Sequence, residues 1–320
     1  MSISSGASVA RGLRVVLFLA ATVLCSTELL AQPSQREQLS SKLRLALHRI
    51  ADAAEGVVGL AVADVTTGER FGINETLVFP QGSAIKIPIL IELFSRADRG
   101  DLRLIERMPL RAADQVGGTG LIQYFSDGGS ELSLHDLAVL MIVLSDNTAT
   151  NVLIDRLGMN RVSQTMATLG APHTRLQRKM IQPQESAKGN ENVSTPKEAV
   201  DIMVRLARCD LPFSADSCAE AKRILQIAKS GAFRDAIPSS VAVAWKPGSI
   251  EGVDTAWALV NVPGAPYAIA VMVNYGSADT SSTLREISGA VYRYFTQIAR
   301  TTPFGTRVPV EVLRKPGSRR

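Results

Sequence analysis

β-rich sequence occurs in two blocks near opposite ends of this chain, and that order limits the possible folds more than any other feature. The run Val57–Val65 reads VVGLAVADV. The turn Thr66-Thr67-Gly68 and a short strand near Arg70–Ile73 follow it, which is a hairpin signal. β-runs return only after Pro238, at Ser240–Trp245, Thr255–Val262 and Tyr267–Asn274, the last two joined by Pro263-Gly264-Ala265-Pro266. Residues 36–54 carry Leu39, Leu43, Leu47 and Ile50 at helical spacing, and residues 281–299 carry Leu284, Ile287, Val291 and Phe295 in the same way. Residues 100–230 between the blocks are helical in pattern, with loops. The simplest packing is an α/β protein of the α+β type: an antiparallel sheet built from both ends, terminal helices upon it, and an all-helical lobe inserted. The expected division is 32–97 with 232–303 as the α/β lobe, 98–231 as the helical lobe, and 304–320 as a basic tail. A cleft between two such lobes is a usual place for a site.

Local signals place the inner elements. A helix starts near Ser83, with Ile85, Ile89, Leu90 and Leu93 along it. Ser133–Leu144 holds Leu134, Leu137, Leu140 and Met141 at helical spacing, and Thr148–Leu157 continues the pattern until Gly158 stops it. Pro196 opens another helix with Ser194 or Thr195 as cap. Arg175–Ser194 has no periodicity, and loops of about twenty residues carry function or lack order.

The N-terminus reads as an export signal. Arg11 and Arg14 precede the apolar stretch Val15–Cys25, and Ala31 ends the segment before Gln32-Pro33. Eleven apolar residues are too few to span a bilayer, which needs about 20. Residues 1–31 are therefore excluded from the fold, and the mature chain is expected to be secreted or periplasmic, without stable membrane insertion. Its net charge is +4, spread out apart from Arg314, Lys315, Arg319 and Arg320. No basic stripe with interleaved aromatics suggests nucleic acid. Cys209 and Cys218 remain after cleavage; export permits a short-loop disulfide between them, and two buried thiols are the alternative.

Several chemistries lack support. The chain has no G-x-S-x-G elbow, no H-E-x-x-H and no G-x-x-x-x-G-K-[ST]. The three histidines, His48, His135 and His173, are scattered, and neither cysteine has metal-ligand spacing. No metal or cofactor is expected. What remains is Ser83-Ala84-Ile85-Lys86, where one helical turn puts hydroxyl and amine on one face. A buried lysine near other cations can lose its proton and act as base for the serine. About one S-x-x-K is expected by chance in such a chain, and Ser194-Thr195-Pro196-Lys197 is a second match that reads as a helix start. Ser145-Asp146-Asn147 is more telling, since that tripeptide is expected on the order of 0.05 times by chance. It also reads as an N-cap for the helix near Thr148. Three K-x-G matches exist. Lys229 reads as the end of a helix with Gly231 as its cap, Lys315 lies in the tail, and only Lys246-Pro247-Gly248 follows a β-run and precedes another.

In this order and spacing (62 and 101 residues), Ser83/Lys86, Ser145-Asp146-Asn147 and Lys246-x-Gly248 resemble class A β-lactamases and the related penicillin-binding proteins. Phe79-Pro80, Asn147-Thr148-Ala149 and Thr174-Arg175-Leu176 add to the likeness, which covers residues 36–300. The resemblance implies that Ser83 is the acylated nucleophile, Lys86 a base and Ser145 a proton relay to the leaving nitrogen. It implies that Asn147 holds the substrate amide, that Lys246 attracts a substrate carboxylate, and that the backbone N–H groups of Ser83 and Ser249 form an oxyanion hole. It implies a small β-lactam or a peptidoglycan-derived substrate for a monomeric enzyme. Two positions depart from the pattern. Pro247 stands where threonine is usual, so Ser249 is the candidate replacement hydroxyl. Met180 falls where these β-lactamases carry the glutamate that activates water for deacylation, and a thioether cannot accept that proton. Glu185, and less so Glu191, are the candidate displaced bases.

Overall fold

A computed structural model describes residues 34–126, 129–276 and 280–313 of the chain. The segment 1–31 expected to be an export signal and the basic residues from Arg314 onward lie outside the described residues.

The chain enters through α1 (Gln35–Ala53), started by a capping box: the Ser34 hydroxyl accepts from the Glu37 N–H while Glu37 accepts from the Ser34 N–H. β1 (Val57–Asp64) and β2 (Arg70–Ile73) form the expected hairpin. After β3 (Phe79–Pro80) comes a single 3₁₀ turn, Gly82–Ile85, and only then α2 (Lys86–Asp98). The helix expected to begin at Ser83 thus begins three residues later. β4 (Arg107–Pro109) and β5 (Glu131–Ser133) pair ahead of α3 (Leu134–Val143), α4 (Asn147–Leu157) and α5 (Met159–Thr168). Gly158, φ +85°, ends α4 as expected and at once begins α5, a helix the stop signal concealed.

The aperiodic stretch after Arg175 holds α6 (Pro183–Ala187) and β6 (Val193–Ser194), and β6 pairs with β3. Thr195 then caps α7 (Pro196–Arg208) by accepting from the Glu198 N–H, and α8 (Ala215–Gln226) follows. Cys209 and Cys218 are joined as a disulfide between these two helices. Gly231 is not the cap of a helix ending at Lys229. Helix α8 stops at Gln226, and Gly231 precedes the short α9 (Ala232–Asp235).

β7 (Val243–Ile250), β8 (Val253–Val260) and β9 (Tyr267–Asn274) complete a five-stranded antiparallel sheet in the order β2-β1-β9-β8-β7. The two sequence ends meet where β1 pairs with β9 along eight residues. The last strands are followed by α10 (Ser281–Ile298) and the short α11 (Val310–Leu313). The sheet is apolar on both faces. One face packs Val58, Leu60, Trp245 and Tyr267 against Leu43 and Leu47 of α1 and Ile287, Val291 and Phe295 of α10. The other sets Ala61, Ala63, Trp257 and Met272 against the inner helices, including Ala199 and Met203 of α7. Sheet burial on both faces explains why β1 and β9 read as continuous hydrophobic runs rather than alternating ones. Strand β7 does not end before Lys246-Pro247-Gly248 but runs through it. An edge strand tolerates a proline because one of its sides needs no ladder hydrogen bonds. Among the described residues, no helix is long and apolar enough to cross a membrane.

Candidate active site

The site is built on the turn between β3 and α2. Gln81 fixes the approach to it. Its backbone N–H donates to Asn192 O, its carbonyl accepts from Thr255 Oγ1, and its buried side chain bridges Phe79 O and Trp257 Nε1. Gly82 adopts φ +48°, and a Cβ there would lie 2.9 Å from Ser249 N. A Cβ on Gly248 would lie 2.2 Å from Gln81 O and 2.7 Å from Ala84 N. Edge strand β7 therefore lies directly against the turn that carries Ser83, and a glycine is needed at 248 for that approach. This contact sets the Ser249 N–H beside the turn. Two backbone N–H groups so placed can bind developing negative charge on a carbonyl oxygen.

Ser145 is the hub of the side chains. Its Oγ lies 2.9 Å from Ser83 Oγ. Lys86 Nζ donates to Ser145 O (2.7 Å), Ser145 Oγ (3.0 Å) and Asn147 Oδ1 (3.0 Å). Lys246 Nζ donates to Ser145 Oγ (3.1 Å) and Pro247 O (3.0 Å). Both lysines are buried. Burial, then the positive charge of Lys246, pushes the Lys86 ammonium well below its ordinary value; Asp146 opposes this. Burial, then Lys229, lowers Lys246 to about 7. Two such amines converging on one hydroxyl can take a proton from it or return one to it.

Ser145 sits at φ +53°, a left-handed conformation that costs a non-glycine residue about 1 kcal/mol or more and clusters at functional sites. Asp146 holds it there. One Asp146 oxygen caps α4 through Ala149 N (2.9 Å), and the other accepts from Leu121 N (2.6 Å) and Ile122 N (2.9 Å). The middle residue of the tripeptide is thus the cap, and its neighbours turn to the cavity. Thr119 Oγ1 donates to Ser145 O at 2.7 Å, and Asn147 Nδ2 donates to Gly117 O at 3.1 Å. Thr119 was not singled out from sequence; the glycine-rich stretch Gly117-Gly118-Thr119-Gly120 was the available signal.

The loop from Arg175 closes one wall. Arg178 forms a two-pronged ion pair with Glu191, both bonds 3.0 Å. Met180 is buried and clamped by Asn151, whose Oδ1 accepts from Met180 N and whose Nδ2 donates to Met180 O. Glu185 stands apart from the cluster. Its carboxylate accepts from Lys188 Nζ (2.7 Å) and Asn190 Nδ2 (2.8 Å), and it does not line the cavity. Glu191 is committed to Arg178. Of the histidines, His135 faces Glu220 and His173 faces Glu198, both away from Ser83.

The structure therefore brings Ser83, Ser145, Asn147, Lys246 and Ser249 to one cavity of about 760 Å³, with Lys86 behind Ser145 and Gly248 beneath the turn that carries Ser83. Among the described residues no cluster of His, Cys, Asp or Glu could hold a metal ion.

The edge of an antiparallel sheet thus carries two half-buried serines and two buried lysines joined by hydrogen bonds. The signature of the beta-lactamase enzyme family matches residues 42–295, and the chain belongs to that family. A β-lactamase of Rhodobacter capsulatus is 30% identical over 191 residues, 59% of this chain and 64% of that protein. The L2 β-lactamase of Stenotrophomonas maltophilia is 28% identical over 149 residues, 46% of this chain and 48% of that protein. The chain thus spans about half to two-thirds of the length of the curated relatives it matches. Among solved structures, PBP-A has a TM-score of 0.74 at 26% identity, covering 81% of this chain and 97% of its own. A β-lactamase from Sphaerobacter thermophilus has a TM-score of 0.73 at 29% identity, covering 81% and 98%. The fold is that of the β-lactamases.

Proposed function

We propose that this chain is an exported β-lactam-reactive serine hydrolase of the class A type, acylated at Ser83 and slow to release the acyl group. One observation carries the reading: the continuous hydrogen-bond chain from Lys86 through Ser145 to Ser83, with Lys246 joined at the same hydroxyl.

The steps follow from the geometry. Ser83 Oγ attacks the β-lactam carbonyl while its proton passes through Ser145 Oγ to a neutral Lys86. The developing oxyanion is met by the N–H groups of Ser83 and Ser249. The C–N bond then breaks, and Ser145 Oγ–H protonates the leaving nitrogen, refilled from Lys86. Lys246, in its protonated form, attracts the substrate carboxylate, and Asn147 holds the substrate amide. Hydrolysis of the ester needs a base for water. Met180 offers none, and Glu185 and Glu191 are engaged elsewhere, so Lys86 acting through Ser145 is the remaining acceptor and turnover is slow.

The same observations favour a second reading, a penicillin-binding, peptidoglycan-processing acyl enzyme. One of the similar structures is an acyl-enzyme complex of a PBP-A variant with penicillin G, at 26% identity. A non-catalytic binding domain fits poorly with two lysines buried against one hydroxyl. Residues 32–97 with 232–303, and 98–231, act in this proposal as two lobes of a monomer.

The test is mature protein with a chromogenic cephalosporin, followed by both absorbance and intact mass. Slow sustained turnover with an adduct lost in Ser83→Ala supports the hydrolase. A stoichiometric burst with a stable adduct supports the second reading, and no adduct overturns both.

A further inference from the structure

The strap Gly118-Thr119-Gly120 lies against Ser145-Asp146-Asn147, one residue against each. A Cβ on Gly118, φ +88°, would lie 2.8 Å from Asn147 Nδ2, and one on Gly120, φ +113°, would lie 2.3 Å from Asp146 Cγ. Two glycines at positive φ therefore let the strap press on the tripeptide, and the one side chain between them meets Ser145. Thr119 Oγ1 donates to Ser145 O at 2.7 Å, and Thr119 O accepts from Asn147 N at 3.1 Å. Gln123 braces the strap, its Nε2 donating to Gly118 O (3.1 Å) and Gly120 O (2.9 Å). The same Ser145 carbonyl accepts from Lys86 Nζ at 2.7 Å, so it is held by a buried amine and by an exposed hydroxyl of the cavity wall. Ser145 sits at φ +53°, which its own backbone disfavours, so its place depends on these partners.

We infer that Thr119 is a positioning residue for acylation: its hydroxyl fixes the Ser145 peptide so that Ser145 Oγ stays between Ser83 Oγ and Lys86 Nζ. The inference rests on acylation at Ser83 as proposed above. With the Thr119 hydroxyl gone, Lys86 alone of this pair holds the carbonyl, and Ser145 follows the amine rather than the Ser83 hydroxyl 2.9 Å away. The proton that leaves Ser83 Oγ reaches Lys86 Nζ through Ser145 Oγ, so a displaced Ser145 must return before the Ser83 Oγ–carbonyl bond can form. Substrate binding is spared. Asn147 N is held by the Thr119 backbone carbonyl, which a change of side chain leaves in place.

The test is acylation by a chromogenic cephalosporin, followed by stopped flow over a range of concentrations. This separates the dissociation constant of the first complex from the rate constant of the acylation step. Thr119→Val keeps the shape and removes the hydroxyl. It is expected to slow the acylation step about tenfold, the weight of one good hydrogen bond, and to change the dissociation constant by less than about twofold. Thr119→Ala should match it, and Thr119→Ser should restore the rate. In a Ser145→Ala background there is no hydroxyl to position, so Thr119→Val is expected to cost less than about twofold there. A residue that merely supported the loop would cost the same in both backgrounds. The inference alone is overturned by an unchanged rate in Thr119→Val, by a loss confined to the dissociation constant, by a Thr119→Ser variant as slow as Thr119→Val, or by a full loss in the Ser145→Ala background. No acylation of the parent chain overturns the acylation reading, and the inference with it.

Discussion

Lys86 reaches Ser145 rather than Ser83: its Nζ donates to both the carbonyl oxygen and the hydroxyl of Ser145, at 2.7 and 3.0 Å. The Ser83 hydroxyl is joined to the amine through that second hydroxyl, 2.9 Å from Ser83 Oγ. Removing the link should therefore cost nearly as much as removing the amine. Ser145→Ala and Lys86→Met are each expected to slow acylation by at least about 10²-fold, and the double variant by little more than either alone. Stopped-flow acylation with a chromogenic β-lactam measures this. Full additivity of the two losses would show that the residues act independently.

Protonation of the two lysines gives the reaction a pH profile. Lys86 must be neutral to accept a proton, so its contribution grows as pH rises through its lowered pKa. Lys246 attracts a carboxylate only when protonated. That form is present below about 7 and is lost as pH rises through it. The expected profile is a bell whose two limbs belong to the coupled pair. Lys246→Arg should carry the alkaline limb upward, because a guanidinium stays protonated. Acylation constants measured across pH check this, and an unmoved limb excludes Lys246 as its source.

Much of the fold was legible because its signals are local. β2 and β9 fall where hairpin turns and β-branched runs put them, and the caps within Ser145-Asp146-Asn147 and at Thr195 lie next to their helices. The misreadings share one cause. Pro247-Gly248 looks like a strand end, and only the position of β7 at the sheet edge makes a proline acceptable there. Gly158 looks like a stop, and it is also a start. In the site, one-turn spacing and a rare tripeptide revealed Ser83, Lys86, Ser145 and Asn147. Thr119 and the fit of Gly248 against Gln81 depend on segments more than a hundred residues from one partner or folded over another, and nothing local announces them. Glu185 had the right residue type in the right loop. The short helix α6 that turns it toward Lys188 was invisible in an aperiodic stretch.

Gly248 supports the site and the fold at once. A methyl there would meet backbone on two sides, Gln81 O at 2.2 Å and Ala84 N at 2.7 Å, and backbone cannot rotate away. Gly248→Ala is expected to destabilise the protein by about 1–3 kcal/mol, as overpacking does, and to slow acylation further by pushing the Ser249 N–H from the turn. Chemical denaturation gives the first quantity. Acylation by a β-lactam at a temperature where the variant is fully folded gives the second.

Met180 places a thioether where a water-activating acid would serve, with its backbone already fixed in both directions by Asn151 at 2.8 and 3.2 Å. The clamp is on the backbone, so a side-chain change should leave the loop in place. Met180→Glu is expected to lower stability, because it puts a carboxylate in a position only 6% exposed. It is also expected to shorten the lifetime of the Ser83 adduct by about 10²-fold, the range of a positioned general base. Met180→Gln has nearly the same shape and cannot accept the proton, so its adduct should persist as in the parent chain. Decay of the adduct followed by intact mass separates these outcomes. Equal lifetimes for the Glu and Gln variants would mean that water does not approach the ester from the Met180 side.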